Sequence, residues 1–211
     1  MWLGVLPSTA TLAQWLVRSL HDHAHDADAT EFAARASAAG IRYVAAPVVG
    51  SLAPARAGTL AVLVGGEHDA ARDAKRIVGL WADQDKLRTF DSPAAAAAAK
   101  LVANLALAVS METLSEALRL GRAAGLSDDD VLATLSLTAI APLAAQKGAL
   151  VTAGDFDDAQ FTAEALAKDA RLMLATADVP LPAVALVAAE LQRAVEAGRG
   201  DKDFSVIARD R

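Results

Sequence analysis

The sequence predicts an α/β layer followed by an all-α domain, and three observations carry that prediction. Of the 211 residues, 54% are hydrophobic but only 4% aromatic. Alanine makes up much of the apolar count, and it is the strongest helix former and lets helices approach closely. Up to about residue 90, short apolar runs alternate with helical patterns, the order that builds α/β layers. From Ser92 onward the apolar spacing is helical throughout. We therefore divide the chain into an α/β domain over residues 1–91 and a helical domain over residues 92–211.

The elements follow in order. Trp2–Leu6 reads as a strand ended by Pro7-Ser8. Over Thr30–Ala39 the residues Phe32, Ala33, Ala36 and Ala39 share one helix face, and Gly40 stops the helix. Ile41–Ala45 is a strand closed by Pro47, and Leu60–Val64 is another closed by Gly65-Gly66. His68–Val78 reads as a helix, and Trp81–Asp91 as a loop with a short strand. Ser92 is suited to cap and Pro93 to open the next helix, which runs to Gly121 or Gly125. Ser127 with Asp128, Asp129 and Asp130 starts another, with acid at its positive end. Further helices cover roughly Ala159–Ala177 and Pro182–Gly198.

Charge and composition narrow the functions. A net charge of −6 argues against nucleic acid or an anionic membrane as the main partner, because both demand a basic face. No run of about 18 or more uninterrupted apolar residues is present, so no membrane span is expected. With no cysteine, disulfides, thiolate metal sites and thiol nucleophiles are excluded. The first 20 residues show no signal-peptide pattern, and a cytoplasmic location is expected. The cluster His21-Asp22-His23-Ala24-His25-Asp26 invites a zinc reading. Its order does not match hydrolase patterns and only His68 adds a further histidine, so a solvated loop is the better reading and no metal is expected.

The candidate chemistry lies at Lys100 and Asn104, one helical turn apart after six alanines, Ala94–Ala99. Residues i and i+4 share a helix face, so an ammonium and an amide can address one small molecule. Apolar neighbours bring a lysine's proton affinity toward useful values, and a lysine that stays charged stabilises a developing alkoxide. Taken alone, Lys100 also reads as a surface lysine and Asn104 as a helix–helix contact.

Five motifs in order set these residues in a family context. They are Ala46-Pro47-Val48-Val49-Gly50-Ser51, then Ala57-Gly58-Thr59-Leu60 leading to Gly65-Gly66, then Lys100 with Asn104, then Phe161 with Lys168-Asp169, and finally Asp203-Phe204-Ser205. From about Gly40 onward the chain resembles the β-hydroxyacid dehydrogenase family, which includes 3-hydroxyisobutyrate and 6-phosphogluconate dehydrogenase-like enzymes and the related imine reductases. The resemblance implies a Rossmann-like domain and a helical substrate and dimerisation domain entered by a long interdomain helix. It implies NADP or NAD as cofactor, a small-molecule substrate and a homodimer. It assigns Lys100 to catalysis, Asn104, Gly50 and Ser51 to substrate, and Phe161 and Lys168 to the cofactor. Phe161 reads equally as plain core, and Asp203-Phe204-Ser205 as closing the helical domain.

The sequence departs from the family in places. Val49 stands where the family's substrate loop usually has serine, and Ala94, Ala96 and Ala103 replace two family glycines and an asparagine. No Gly-x-Gly-x-x-Gly occurs, the motif that brings backbone N–H groups and a helix N-terminus to a dinucleotide pyrophosphate. The chain is thus expected to be a family member without the first half of its Rossmann domain. The expected chemistry is hydride transfer between NAD(P) and a small hydroxyacid, aldehyde or imine, inactive if the missing motif is indispensable. The alternative is a non-catalytic dimerisation or small-ligand-binding protein on the same scaffold.

Overall fold

The structure is a computed structural model and describes residues 26–208. The expected strand Trp2–Leu6 and the histidines His21, His23 and His25 lie outside the described residues. The chain divides within one helix, between Ala103 and Asn104, into two units.

In the first unit, α1 (Asp26–Ala38) ends where Gly40 turns left-handed at φ 68°. Its last turn is closed by the Ile41 N–H donating to Ala36 O at 2.8 Å. Two short strands follow, β1 (Val44–Ala45) and β2 (Val48–Val49), both antiparallel to β3 (Leu60–Gly66). Val44 faces Gly66 and Val49 faces Ala61 in one continuous register, with the Leu63 N–H donating to Pro47 O at 2.9 Å between them. The two are one strand interrupted at Ala46-Pro47, because proline has no N–H to give the ladder. A one-turn helix, α2 (Leu52–Ala57), links β2 to β3.

After β3, α3 (His68–Val78) lies back on the sheet and β4 (Ala82–Phe90) pairs parallel to β3 on its other edge. The helix bounds agree with those expected, whereas β4 is a nine-residue strand where a loop with a short strand was read. One sheet face packs Val44, Val62 and Val64 against Ala70, Ala71, Ala74 and Val78 of α3. The other packs Ala45 and Leu63 against Ala29 and against Ala96 and Ala97 of α4 (Pro93–Ala123). Burial there pushes the Tyr43 hydroxyl above its ordinary proton affinity.

The second unit is helical. From Asn104, α4 buries Ala108, Met111, Leu114 and Leu118. By length and composition α4 also resembles a membrane-spanning helix, with mean hydropathy 1.6 over its most apolar window. That value comes from alanine and leucine, and the buried face just named serves here as protein core. α5 (Asp128–Leu135) begins with the expected cap, where the Asp130 N–H donates to Ser127 Oγ at 3.1 Å and Asp130 reaches back to the Ser127 N–H. α6 (Ala141–Ala153), α7 (Ala163–Thr176) and α8 (Pro182–Ala194) complete the bundle. The chain then turns through Gly198 into a buried 3₁₀ turn, Phe204–Ala208. Lys202 O accepts the Ala163 N–H at 2.8 Å, so the terminal segment satisfies the open start of α7.

Candidate active site

Lys100 is placed by a close contact at the start of α4. Ser92 caps the helix by accepting the Ala95 N–H at 3.1 Å. A Cβ on Gly65 would fall 2.3 Å from Ser92 O and 2.5 Å from Ala96 Cβ, so β3 and the first turn of α4 touch backbone to backbone. Ala96 and Ala97 are buried against the sheet. Lys100 follows at the next turn on the same stripe and is partly buried. Spacings of three and four carry that stripe on to Asn104, Ala108 and Met111. Lys100 and Asn104 therefore share one face of one helix, as their spacing required.

Gly50 and Ser51 stand in the first unit at the junction of β2 and α2. Gly50 has φ 134°, a backbone conformation that favours glycine, and a Cβ there would lie 2.7 Å from the movable end of the Leu60 side chain. Ser51 occupies the cap position of α2 in an extended conformation, yet its hydroxyl makes no cap hydrogen bond.

The second unit joins Asn104 and Lys168 through a residue to which the sequence reading gave no role. The Asn104 amide nitrogen donates to Asp169 Oδ2 at 2.6 Å, across 65 positions from α4 to α7. The other carboxylate oxygen of Asp169 lies 3.5 Å from the Lys168 ammonium. Asn104 is 4% exposed and Asp169 1%. A buried carboxylate is costly unless bonded, and here its partners include two residues that the resemblance gives to ligands. One sequence signal pointed to Asp169, for it sits on the apolar stripe Leu166, Asp169, Ala170, Met173 of α7. Phe161 packs edge-on against Phe204, ring centres 6.0 Å apart, and remains partly exposed.

Two other polar clusters take no part. Lys147 and Asp203 form a buried pair at 2.7 Å that ties α6 to the terminal turn. A cavity of about 570 Å³ lies over α3 and β4, lined by His68, Arg72, Lys75 and Gln84 among others. None of the expected site residues lines it. Its arginines are already matched, Arg72 by Asp69 at 3.0 Å and Arg76 by Asp73 at 3.1 Å. Among the described residues no cluster of three or more acidic, histidine or cysteine side chains is arranged to hold a metal.

Comparison with known families supplies the context. Residues 94–210 match the profile of the NAD-binding domain of NADP-dependent 3-hydroxyisobutyrate dehydrogenase. The chain belongs to the β-hydroxyacid dehydrogenase family. Residues 21–90 also match the NAD-binding domain of 6-phosphogluconate dehydrogenase. The Arabidopsis thaliana protein named "Probable 3-hydroxyisobutyrate dehydrogenase, mitochondrial" is 32% identical over 78% of this chain and 50% of that protein. Glyoxylate/succinic semialdehyde reductase 1 of the same plant is 32% identical over 80% of this chain and 58% of its own length. The chain thus spans half or little more of these relatives. The crystal structure of 3-hydroxyisobutyrate dehydrogenase from Salmonella typhimurium superposes with a TM-score of 0.78 at 26% identity, covering 88% of this chain and 66% of that one. The fold is the family's combination of Rossmann-like and helical domains.

The residues fit the family's cofactor unevenly. The one strand–Gly-Gly–helix turn among the described residues, Gly65-Gly66 before α3, is filled by the chain itself. The missing Cβ of Gly65 faces Ser92 and Ala96, and that of Gly66 faces Tyr43 O at 3.1 Å. These glycines serve packing rather than a pyrophosphate. That turn therefore supplies no cradle for the dinucleotide phosphates, whereas Asn104, Asp169 and Lys168 form an ordered polar cluster.

Proposed function

We propose that this chain carries the substrate-handling half of an NAD(P)-dependent oxidoreductase that acts by hydride transfer on a small hydroxyacid, the corresponding aldehyde, or a related imine. The observation that supports this best is the placing of Lys100 and Asn104 on one face of α4, with Asn104 held by Asp169. A bound NAD(P), which Phe161 and Lys168 would help to hold, would supply or accept the hydride in this reaction class. The chain's own residues manage the oxygen. Lys100 gives a proton to the substrate oxygen on reduction and takes it back on oxidation, or stabilises the alkoxide as a cation. Asn104 fixes the substrate by hydrogen bonding. The family resemblance gives Gly50 and Ser51 to the substrate as well, through backbone N–H groups and a hydroxyl. A homodimer through the helical unit is part of the proposal, supported by the alanine-rich helices.

A second reading, a ligand-binding or dimerisation protein without turnover, is favoured by the absence of Gly-x-Gly-x-x-Gly from the sequence. Fluorescence titration with NADH and NADPH separates the two. Saturable binding supports the oxidoreductase, and no binding of either at high micromolar concentration leaves the second reading. Where turnover is found, Lys100→Ala is expected to lower it by about 10²–10⁴-fold with an unchanged urea midpoint. Unchanged turnover would remove Lys100 from the mechanism.

A further inference from the structure

The cavity over α3 and β4 carries a charge that the rest of the chain does not share. The chain is −6 overall, yet no residue lining this cavity is acidic, and four of them are His68, Arg72, Lys75 and Arg76. Spacings of three and four place these along one flank of α3, clear of the face Ala70, Ala71, Ala74 and Val78 that packs on the sheet. β4 supplies Gln84, Leu87 and Thr89 to the lining. Gln84 Nε2 donates to Gly79 O at 3.4 Å, which ties the strand to the end of the helix. The volume of about 570 Å³ falls within the range of small-ligand pockets.

The cations keep donors for a ligand. Arg72 meets Asp69 at 3.0 Å and Arg76 meets Asp73 at 3.1 Å, and Asp73 is shared with Arg42 at 3.1 Å. A guanidinium has five N–H donors, and exposed pairs of this kind hold each other weakly. Lys75 is partly buried, and among the described residues its ammonium meets no carboxylate. A cation partly removed from water attracts an anion more strongly than one in bulk solvent. The same lining includes the apolar side chains Leu80 and Leu87. We propose that this cavity binds a small organic oxyanion, a carboxylate or a phosphate ester. Lys75, with Arg72 and Arg76, holds the charged group, and the apolar body rests on Leu80 and Leu87. Arginine forks suit either head group. The site shares no residue with Lys100, Asn104, Gly50 or Ser51, so it stands whether or not the chain turns over a substrate.

The test titrates the full ¹⁵N-labelled chain with phenyl phosphate, phenylacetate and the uncharged phenylacetamide, followed by amide chemical shifts. At least one of the two anions is expected to shift the amides of residues 68–80 and 84–89 saturably. Phenylacetamide should bind about tenfold more weakly or less, of the order a lost charged contact imposes. The tighter of the two anions identifies the head group. Lys75→Gln should weaken that anion by about tenfold or more, whereas Lys75→Arg, which keeps the charge, should retain most of the affinity. Leu80→Ser, at a residue 84% exposed, leaves the core untouched and should weaken both aromatic anions at an unchanged melting temperature. No saturable shift with either anion, shifts confined to residues outside the cavity, or an affinity unchanged in Lys75→Gln overturns the proposal. Equal binding of phenylacetamide overturns it too, because the cations would then play no part.

Discussion

Asp203 and Asp169 are buried equally, at 0% and 1% exposure, and differ in what they hold. Asp203 gathers the Lys147 ammonium at 2.7 Å, the Ser205 hydroxyl at 2.6 Å, and the N–H groups of Ser205 and Gln160 at 3.0 and 3.4 Å. Two of these donors are backbone, and the lysine also lies 4.7 Å over the Phe204 ring. Everything Asp203 binds belongs to the fold. Asp169 engages, among its partners, the side chains of Asn104 and Lys168, for which we propose ligand-binding roles. A buried charge alone therefore does not mark a functional site.

Four substitutions test that contrast. Lys147→Met leaves Asp203 buried without its cation and should cost about 3–5 kcal/mol in urea denaturation, with the ligand affinity of the folded protein unchanged. A loss of affinity would erase the distinction between the two carboxylates. Asn104→Ala should cost less in stability, about 1–3 kcal/mol, while removing measurable binding of 3-hydroxyisobutyrate in calorimetry. Retained binding would make Asp169 as structural as Asp203. Ser205→Ala removes one of four donors and leaves the backbone N–H in place, so about 1 kcal/mol of stability and no change in binding are expected.

The smallest effect belongs to a surface carboxylate with the same chemistry. Asp128 receives two hydrogen bonds from Arg122, both at 2.8 Å. Those bonds hold its carboxyl below the ordinary carboxylate range. Because the folded value is depressed, the stabilisation is complete above the unfolded value and is lost as pH falls through the folded one. Asp128→Asn should cost less than about 1 kcal/mol at neutral pH, and its difference from the wild type should vanish in acid. A difference that persists at low pH would show that the charge is not the source.

Local chemistry made part of the fold legible. The cap at Ser127, the proline starts of α4 and α8, and the bounds of α3 follow from rules that act within one turn. β4 was hidden because Asp83-Gln84-Asp85-Lys86 shows no apolar alternation. Its strand form comes from parallel pairing with β3, a partner distant in sequence. α2 was hidden because it is one turn long with Pro54 inside it, and α6 because Lys147 and Gly148 interrupt its apolar face. The site divides in the same way. That Lys100 and Asn104 share a helix face was legible from their spacing. Asp169 received no role because its contact with Asn104 spans 65 positions and a charged residue is ordinarily read as surface.

The contact at Gly65 constrains how this sequence can drift. The atom a side chain would strike first is the carbonyl oxygen of Ser92, 2.3 Å away. A backbone atom cannot be trimmed by a compensating replacement elsewhere, so a change at Ala96 would relieve only half of the clash. Any residue other than glycine must lift the start of α4, and Lys100 rides two turns along that helix. Random mutagenesis scored by yield of folded protein should therefore return position 65 as intolerant. Suppressor screens starting from a substitution there should recover true reversion far more often than second-site repair.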